Sequence, residues 1–319
     1  MSISAIIIAK DAAHIVDKAL KSVAFSDEII LIDLNSQDET AQIAAKHLAK
    51  VVPYVKDAPF VELVLNFAIA QAKSDWVLVL DADEELPQDL QNELQTIAKQ
   101  SATMGNSSNK EAFYLARRNL VCGATMQHTG WWPDYQLRFF KNGSVSWSEK
   151  IHAQPLIHGQ NIKKMTDSVA YLPAKEELAI LHHNYASFSD YIARLNRYTD
   201  VEASQKQIDE QFKIAPTDLL AAFKDEWFRR FFDKQGYRDG VRGFYLSLMQ
   251  AMYQMTTEVK TWGRLDYQDK YQQVDQKQLL LALRKFEKEL HYWVDDMAME
   301  IHAPWWSKIL IKLKRKLHL

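Results

Sequence analysis

The stretch SDWVLVLDADEEL, residues 74–86, decides the fold class of this chain. Its apolar part, Trp76–Leu80, contains no charged residue and is followed at once by Asp81. A strand that is apolar at every position is buried on both faces, as in a parallel sheet covered by helices. The acidic residues that follow should then lie at the carboxyl edge of the sheet, where open α/β sheets bind ligands.

The segments on either side of this strand continue the alternation of strands and helices. Residues 3–9 and 28–33 are short apolar runs joined by a helical pattern. The apolar spacing predicts further strands at 51–52 and 112–118, and helices at about 38–49, 61–73 and 88–99. We therefore predict an α/β fold with a sheet covered by helices.

The character of the sequence changes toward the C-terminus. Between about 136 and 172 it predicts short strands, with Asn142–Gly143 as a hairpin turn. Later, glycine becomes rare and aromatic and charged residues interleave at helical spacing. We predict an α/β domain over residues 1–185 and a helical region over 186–319. The aromatic cluster around Trp227 is interpreted as core between helices rather than as a ligand site.

Net charge and cysteine content narrow the class of protein. The chain has 39 Lys and Arg against 41 Asp and Glu, a net charge of −2, so nothing indicates a nucleic-acid partner. The single cysteine, Cys122, excludes an internal disulfide and is interpreted as a packed thiol in a reducing compartment. The apolar start, Ile3–Ala9, is too short for a signal peptide or a membrane span, so we predict a cytoplasmic protein.

Four acidic residues crowd the loop after residue 80, which is unfavourable unless a positive charge neutralises them. A divalent cation does so, because carboxylates are its preferred ligands and a diphosphate can complete the coordination. Asp81 and Asp83 are alternate residues and can point to the same side of the chain. Two carboxylates in a loop are often only solvated, but the buried strand before them and Asp33 on the same predicted edge favour a site.

Four blocks of sequence are together more specific than the Asp-x-Asp pair. They are ISAIIIAKD (3–11), DEIILIDLNSQDET (27–40), NFAIAQAKSDWVLVLDADEEL (66–86) and GWWPDYQLRFFKNGSVSWSEKIHAQP (130–155). In content and order these blocks resemble the family 2 glycosyltransferases with the GT-A fold, in particular the bacterial branch related to lipopolysaccharide-core glucosyltransferases of the WaaE type. The helical remainder is similar to that branch as well.

The resemblance implies a GT-A domain with a mixed sheet, followed by a helical region. It also implies metal-dependent, inverting transfer of a sugar from a nucleoside diphosphate, with a UDP-sugar as donor and Mg²⁺ or Mn²⁺ as cofactor. The acceptor would be a hydroxyl of a cell-surface glycan or of its lipid-linked precursor. The donor would be bound by Lys10, Asp33, Asp81, Asp83 and Arg138, and the metal by Asp81, Asp83 and His152.

Inverting transfer needs a general base that accepts the proton of the acceptor hydroxyl. Asp134 is the catalytic candidate, since it precedes Arg138 by four residues in WPDYQLR, as in the family's acceptor-side loop. The alternative is a structural pairing of Asp134 with Arg138, and Glu84 and Glu85 are reserve candidates for the base. Arg117 is a further candidate partner for phosphate.

The chain departs from the usual family pattern at several positions. The family commonly has Asn-Glu after its first strand, where this chain has Asp11–Ala12, and a glycine of its second block is missing from residues 33–40. A His-Glu pair of the family is His152–Ala153 here, and Glu149 is the candidate to replace that glutamate. The acidic and hydroxyl positions of the second block are kept.

Residues 304–319, PWWSKILIKLKRKLHL, combine two tryptophans with alternating aliphatic and basic residues and contain no acid. This composition favours an amphipathic helix on an anionic membrane surface, which would bring the protein to the inner face of the cell membrane. The alternative is a final helix that packs its leucines onto the rest of the protein. The sequence leaves open whether the chain forms a homodimer.

Two other functions remain open at the level of sequence. A catalytically silent glycan-binding or scaffolding protein could keep the same fold, and the altered donor motifs support it. A phosphohydrolase also places Asp-x-Asp after a buried strand, but on its first strand and with Thr or Val two residues later, where this chain has Glu85. A nicotinamide dehydrogenase is disfavoured because no glycine-rich turn follows Ile3–Ala9.

Overall fold

The computed structural model describes residues 1–56, 58, 61–103, 110–148, 154–162, 167–206, 214–267 and 275–302. The chain forms two compact units. The first contains Met1–Met126 and Trp131–Phe188, and the second contains Gln127–Gly130 and Ser189–Leu319. The four-residue segment Gln127–Gly130 thus belongs with the C-terminal unit, which no pattern in the sequence indicated.

The first unit is built on a large mixed sheet. In chain order the strands are Ile3–Ala9 (β1), Glu28–Asp33 (β2), Lys50–Pro53 (β3), Trp76–Asp81 (β4), Glu84–Glu85 (β5), Ala112–Val121 (β6), Ala124–Thr125 (β7), Asp134–Lys141 (β8), Val145–Ser146 (β9), Leu156–Ile157 (β10), Gln160–Asn161 (β11), Val169–Tyr171 (β12) and Ile180–Tyr185 (β13). Within the described residues, one sheet runs β3-β2-β1-β4-β8-β6-β13-β5, with β7 and β12 also paired to β6, and β9–β11 form a second, small sheet. The predicted α/β class is confirmed.

Helices cover both faces of the large sheet, which explains its continuous apolar strands. The helices of this unit are Val16–Ser22 (α1), Thr40–Lys46 (α2), Glu62–Ile69 (α3) and Gln88–Thr103 (α4). Alternate residues of β1 serve different cores: Ile7 packs in the core that α1, α2 and α4 cover, and Ile6 packs in the core that α3 covers. In β4, Leu78 and Val79 divide between the two cores in the same way.

The carboxyl ends of three neighbouring strands meet at one edge of this sheet. Strand β1 pairs in parallel with both β2 and β4, so that Ala9 lies opposite Asp33 and Ile8 lies opposite Asp81. Asp33 and Asp81 therefore end the two strands that flank β1, one residue apart in register. The apolar runs in the sequence predicted that these three strands end at one edge, and the structure shows that arrangement.

An antiparallel strand adds residues from later in the chain to the same edge. Strand β8 lies between β4 and β6 and is antiparallel to both, with Leu78 opposite Phe139 and Arg117 opposite Asp134. Because β8 runs in the reverse direction, its first residue, Asp134, lies near the carboxyl ends of β4 and β6. This pairing brings Asp134 toward the acidic loop, although Asp134 follows Asp81 by 53 positions in the sequence.

The prediction of a hairpin at Asn142–Gly143 is wrong. The chain does turn there, and the N–H of Ser144 donates to the carbonyl of Lys141 at 3.1 Å. However, β8 before the turn pairs with β4 and β6, whereas β9 after it pairs with β10 in the small sheet. Asn-Gly fixes a local reversal of the chain, but burial decides which strands then pair.

The second unit is helical, as predicted for the C-terminal region. Its long helices are Phe188–Gln205 (α5), Pro216–Phe228 (α6), Gly240–Gly263 (α7) and Gln276–His302 (α8). Trp227 packs against Phe231 and Phe286, with ring centroids 6.2 and 6.4 Å away, so the aromatic cluster is core between helices. None of the described helices combines the length and apolar character that a bilayer span requires.

The carboxylate of Asp239 helps to hold Gln127–Gly130 within the second unit. Asp239 accepts hydrogen bonds from the backbone N–H groups of Gln127 and His128, at 3.1 and 2.9 Å, and from the hydroxyl of Thr129 at 2.8 Å. These bonds satisfy donors that a turn would otherwise leave open to water.

Candidate active site

Asp81, the last residue of β4, is held by an arginine and a buried glutamate. Arg138 Nη2 donates to Asp81 Oδ2, and also to Glu84 Oε1 at 2.7 Å. The other oxygen of Glu84, Oε2, accepts the backbone N–H of Asp81 at 3.0 Å. The Glu84 side chain is 0% exposed, so an acceptor hydroxyl cannot reach it, and Glu84 serves as a buried counter-ion.

Arg117 links this group to Asp134. Its Nη1 donates to Glu84 Oε1 at 3.0 Å. Its Nε and Nη2 both donate to Asp134 Oδ2, at 2.9 and 2.6 Å. The structure thus pairs Asp134 with Arg117, its cross-strand neighbour, and pairs Arg138 with Asp81 and Glu84. Both guanidinium ions are used to hold carboxylates.

Asn119 and His182 connect Asp134 to Asp83. Asn119 Nδ2 donates to Asp134 Oδ2 at 3.2 Å, and Asn119 Oδ1 lies 2.6 Å from His182 Nδ1. On the other side of the imidazole, His182 Nε2 lies 3.5 Å from Asp83 Oδ1. We call these residues the polar network: Asp81, Asp83, Glu84, Arg117, Asn119, Asp134, Arg138 and His182.

The hydrogen bonds show which ring nitrogen of His182 donates to Asn119. Asn119 Nδ2 also donates to the carbonyl of Trp131 at 3.1 Å, so its Oδ1 is the atom that faces His182 and must accept. His182 Nδ1 therefore donates to Asn119, and Nε2 faces a carboxylate oxygen of Asp83 at 3.5 Å.

Charge within the polar network shifts the pKa values of its acids. Burial alone would raise the pKa of Asp81, but the charges of Arg138 and Arg117 hold it below the ordinary value. Burial opposes ionisation of Asp134 too, and the charge of Arg117 with hydrogen bonds from Gln136 and Asn119 lowers its pKa. Both carboxylates are therefore ionised at neutral pH.

The polar network combines four carboxylates with two guanidinium ions. Carboxylates are the preferred ligands of a hard divalent cation. Within the described part of the chain, no three His, Cys, Asp or Glu side chains converge closely enough to hold a metal by themselves.

A cavity of about 430 Å³ lies beside Asp81, a volume within the range of small-molecule sites. One side of the cavity is apolar and comes from α3, β4 and the segment after β9, and the other side is polar. The lining residues are Val61, Leu65, Val79, Asp81, Tyr114, Arg117, Tyr135, Gln136, Leu137, Arg138, Trp147, Gln154 and Pro155.

Comparison with known proteins agrees with this geometry. Residues 4–136 match the family described as Glycosyl transferase family 2. An uncharacterised glycosyltransferase of Rickettsia typhi is 42% identical, over 78% of this chain and 82% of that protein. This chain belongs to the family 2 glycosyltransferases.

More distant similarities extend over most of this glycosyltransferase. The lipopolysaccharide core biosynthesis glycosyltransferase LpsC of Rhizobium meliloti is 22% identical, over 83% of this chain and 93% of that protein. Among solved structures, S. aureus TarS 1–349 in complex with UDP is 14% identical, covers 86% of this chain and 95% of that chain, and has a TM-score of 0.41. The mixed sheet and C-terminal helices of this glycosyltransferase form the GT-A arrangement that the family resemblance implied.

The remaining predicted donor residues lie apart from the polar network. Asp33 ends β2, and its Oδ1 accepts the N–H of Ser36 at 3.1 Å. Lys10 is exposed directly after β1. His152 lies outside the described residues, as does Glu149, so their predicted roles stay predictions.

Sequence reasoning missed two members of the polar network in this glycosyltransferase, Asn119 and His182. Both lie on strands, β6 and β13, that pair in parallel with His182 opposite Asn119. The only signal in the sequence was polar residues inside otherwise apolar strands, LARRNLV and AILHHNY. Buried polar residues in a strand need partners, and that requirement could have singled them out.

Glu84 gives a stability prediction for this glycosyltransferase. Replacing Glu84 with glutamine removes the charge that both Arg117 and Arg138 contact, so we expect the free energy of unfolding to fall by about 3–5 kcal/mol. Glu85→Gln is the matched control, because the Glu85 side chain is 38% exposed and lies beside His183 rather than between two guanidinium ions. Its expected cost is below about 1 kcal/mol. Urea unfolding of both variants measures the difference, and equal costs would contradict the role assigned to Glu84.

Proposed function

We propose that this glycosyltransferase transfers a sugar from a UDP-sugar to a hydroxyl of a cell-surface glycan or its lipid-linked precursor, with inversion and with Mg²⁺ or Mn²⁺ at the Asp81–Asp83 loop. The observation that carries the proposal is that Asp81 ends the buried strand β4 and Asp83 follows it directly, on the sheet edge that also bears Asp33. Carboxylates at that place suit a divalent cation that carries a diphosphate.

The nucleoside would bind next to β1 and β2. A carboxylate at a strand end can accept hydrogen bonds from ribose hydroxyls or from a uracil N–H, and Asp33 is placed there. Lys10 is exposed and directly follows β1, so it lies at the same edge of the sheet. We propose that it contacts the donor's phosphates. The family resemblance supports UDP as the nucleotide.

Asp83 and His182 are the residues proposed to hold the cation. His182 Nε2 faces Asp83 Oδ1 at 3.5 Å, and the hydrogen bond from Nδ1 to Asn119 orients the ring, as is usual for a metal-bound histidine. Both guanidinium contacts of Asp81 are made through Oδ2, so Oδ1 is the atom proposed to face the cation or the ribose. The cation would stabilise the negative charge of the departing diphosphate.

Asp134 is the proposed general base. It is ionised at neutral pH, and three donors, from Arg117 and Asn119, converge on its Oδ2. Its Oδ1 accepts one hydrogen bond, from Gln136 Nε2 at 2.9 Å. We propose that the acceptor hydroxyl takes the place of Gln136 at Oδ1, while Arg117 keeps the carboxylate in position.

The acceptor class rests on the relatives. LpsC of Rhizobium meliloti acts, by its name, in lipopolysaccharide core biosynthesis and is similar over 93% of its length. A hydroxyl of a cell-surface glycan or of its lipid-linked precursor is the corresponding proposal for this chain.

The test is a thermal-shift screen of nucleoside diphosphates and UDP-sugars, with and without Mn²⁺, followed by a UDP-release assay with glycan acceptors. We expect stabilisation by UDP and UDP-sugars only in the presence of Mn²⁺, and UDP release with at least one acceptor. Binding of UDP-sugar without turnover of any acceptor would favour the silent glycan-binding alternative. The absence of any nucleotide-dependent shift would contradict the proposal.

The C-terminal sequence gives a separate proposal on location. Residues 304–319, which lie outside the described residues, are basic and amphipathic in sequence, and we propose that they attach the enzyme to anionic lipid at the inner face of the cell membrane. Full-length protein should sediment with phosphatidylglycerol vesicles and not with phosphatidylcholine vesicles, and less so at high salt. A chain that ends at His302 should stay in the supernatant; equal sedimentation of both chains would contradict the proposal.

A further inference from the structure

Helix α8 carries a second row of apolar residues besides the face with which it packs. On the packed face, the rings of Phe286 and Trp293 lie 5.3 Å from Phe228 and 5.7 Å from Phe232 between centroids. The second row has the alternating spacing of three and four residues that keeps side chains on one side of a helix. We call it the α8 stripe; its members are Leu280, Leu283, Glu287, Leu290, Val294, Met297 and Ile301.

The α8 stripe is exposed at both ends and along its length. Leu280, Leu283, Val294 and Ile301 are 51%, 48%, 48% and 59% exposed. Single apolar side chains are common on protein surfaces, but a continuous row of them indicates an interaction surface. The helix has 27 residues and is therefore about 40 Å long, so the stripe offers an extended surface to a partner.

The charges of α8 change sign along the helix. Residues 276–288 contain four Lys or Arg and one Glu, whereas residues 289–301 contain four Asp or Glu and no Lys or Arg. This order is opposite to the one that the helix dipole favours, which has acids near the N-terminus and bases near the C-terminus. The stability of the helix by itself therefore does not account for the arrangement.

Packing within the helical unit accounts for part of the arrangement. Lys224 Nζ contacts Glu289 Oε2, and Arg238 Nη2 lies 2.5 Å from Glu300 Oε1. Other charges of α8 are on exposed side chains, which include Arg284 and Lys288 in the first half and Asp295 in the second. Helical geometry places these three residues on one side of the α8 stripe. They can meet a partner that lies along the stripe.

An antiparallel second copy of α8 matches both the apolar row and these charges. When Leu280 of one copy is aligned with Ile301 of the other, the two stripes face each other along their whole length. In this alignment Asp295 of the second copy is level with the turn between Arg284 and Lys288. A parallel copy would instead place Arg284 beside its own counterpart, which is unfavourable.

We propose that the α8 stripe is the interface of a homodimer, in which two copies of α8 pack antiparallel about a two-fold axis. Apolar members of the stripe are buried against those of the second copy, and Asp295 of each copy pairs with Arg284 and Lys288 of the other. Glu287, the charged member of the stripe, lies opposite Val294 in this alignment and weakens the dimer. The inference does not depend on the donor or the reaction, because α8 contains no residue of the polar network.

The test is analytical ultracentrifugation of the full chain over a range of protein concentrations, where we expect a dimer at micromolar concentration. Leu283→Asn and Val294→Asn should each raise the Kd of the dimer at least about tenfold, because the change occurs twice in each dimer. Leu281→Asn is the matched control, since Leu281 is 64% exposed but points almost opposite to Leu283 on the helix. It should keep the wild-type Kd, and Glu287→Leu should lower the Kd.

A charge exchange tests the antiparallel direction. Arg284→Glu combined with Lys288→Glu should weaken the dimer, because both new carboxylates then repel Asp295 of the second copy. Adding Asp295→Lys to that variant should restore most of the lost affinity. Circular dichroism shows whether each variant keeps its helical content, so that a loss of the dimer is not mistaken for a loss of the fold.

Three results would overturn the inference. The first is a full chain that stays monomeric up to about 100 μM; if Leu283→Asn then lowers its binding to phosphatidylglycerol vesicles, the stripe contacts lipid instead. The second is an equal Kd for Leu283→Asn and Leu281→Asn, which would place the dimer interface elsewhere. The third is a failure of Asp295→Lys to restore the dimer, which would exclude the antiparallel alignment.

Discussion

Replacing Asp83 with alanine is expected to abolish the Mn²⁺-dependent binding of UDP and to lower kcat/KM by about 10³-fold or more. The reason is that Asp83 and His182 are the proposed protein ligands of the cation, so that removal of one leaves the diphosphate without its counter-charge. The fold should survive, because the backbone carbonyl of Asp83, which accepts the N–H of His183 on β13 at 2.8 Å, remains in alanine.

Glu85→Ala is the matched control for Asp83→Ala. Glu85 belongs to the same acidic loop, but its side chain is 38% exposed and contacts His183 rather than His182. We expect Glu85→Ala to keep Mn²⁺-dependent UDP binding within a few-fold of the wild type. Thermal shift and calorimetry measure both variants, and retention of metal-dependent UDP binding by Asp83→Ala would refute the assignment of Asp83.

The second large effect is expected from Asp134→Asn, which should lower kcat by about 10²–10⁴-fold and leave the binding of UDP-sugar with Mn²⁺ unchanged. Asparagine has the same shape, and its carbonyl oxygen can still accept from Arg117, but it cannot take a proton from the acceptor hydroxyl. Steady-state kinetics with donor and acceptor varied separately, together with calorimetry, provide the measurement. Asp89→Asn, an exposed acid at the start of α4, is the control and should behave as the wild type.

The expected pH dependence of kcat/KM follows from the direction in which the pKa of Asp134 is shifted. Burial opposes ionisation of this carboxyl, but the charge of Arg117 lowers its pKa below the ordinary value, so Asp134 keeps its negative charge to a lower pH than a free aspartate does. Between pH 8 and 5, kcat/KM should therefore show no acid-side loss from the base. A loss of kcat/KM centred near pH 6 that is absent from Asp134→Asn would contradict the lowered pKa of Asp134, whereas an Asp134→Asn variant with wild-type kcat would contradict its role as the base.

The sheet edge was predictable from sequence because it depends on local patterns. The apolar runs of β1, β2 and β4 could only be buried strands, and parallel strands bring their carboxyl ends to one edge. Asp33 and Asp81 follow from that rule alone. The pairing of β8 between β4 and β6 does not, since it depends on how strands far apart in the chain bury their faces together.

The polar network likewise combines residues that local sequence patterns indicate with residues that only strand pairing brings together. The sequence indicated Asp81, Asp83 and Asp134 as separate candidates, and the structure joins them through partners more than 30 residues away in sequence, such as Arg117 with Glu84. Asn119 and His182 carried no motif, because a single polar residue in a strand is uninformative until its neighbours across the sheet are known. The pairing of Arg117 with Asp134, rather than of Arg138 with Asp134, is set by cross-strand register, which spacing along one strand cannot show.

The proposed cation site lies between Asp83 and His182 and is expected to be filled together with UDP. The most direct measurement is anomalous diffraction at the manganese edge from crystals grown with Mn²⁺ and UDP. We predict one strong peak within about 2 Å of both the Asp83 carboxylate and the diphosphate oxygens, beside His182 Nε2. A UDP molecule bound without such a peak, or a manganese peak away from the carboxyl end of β4, would contradict the account.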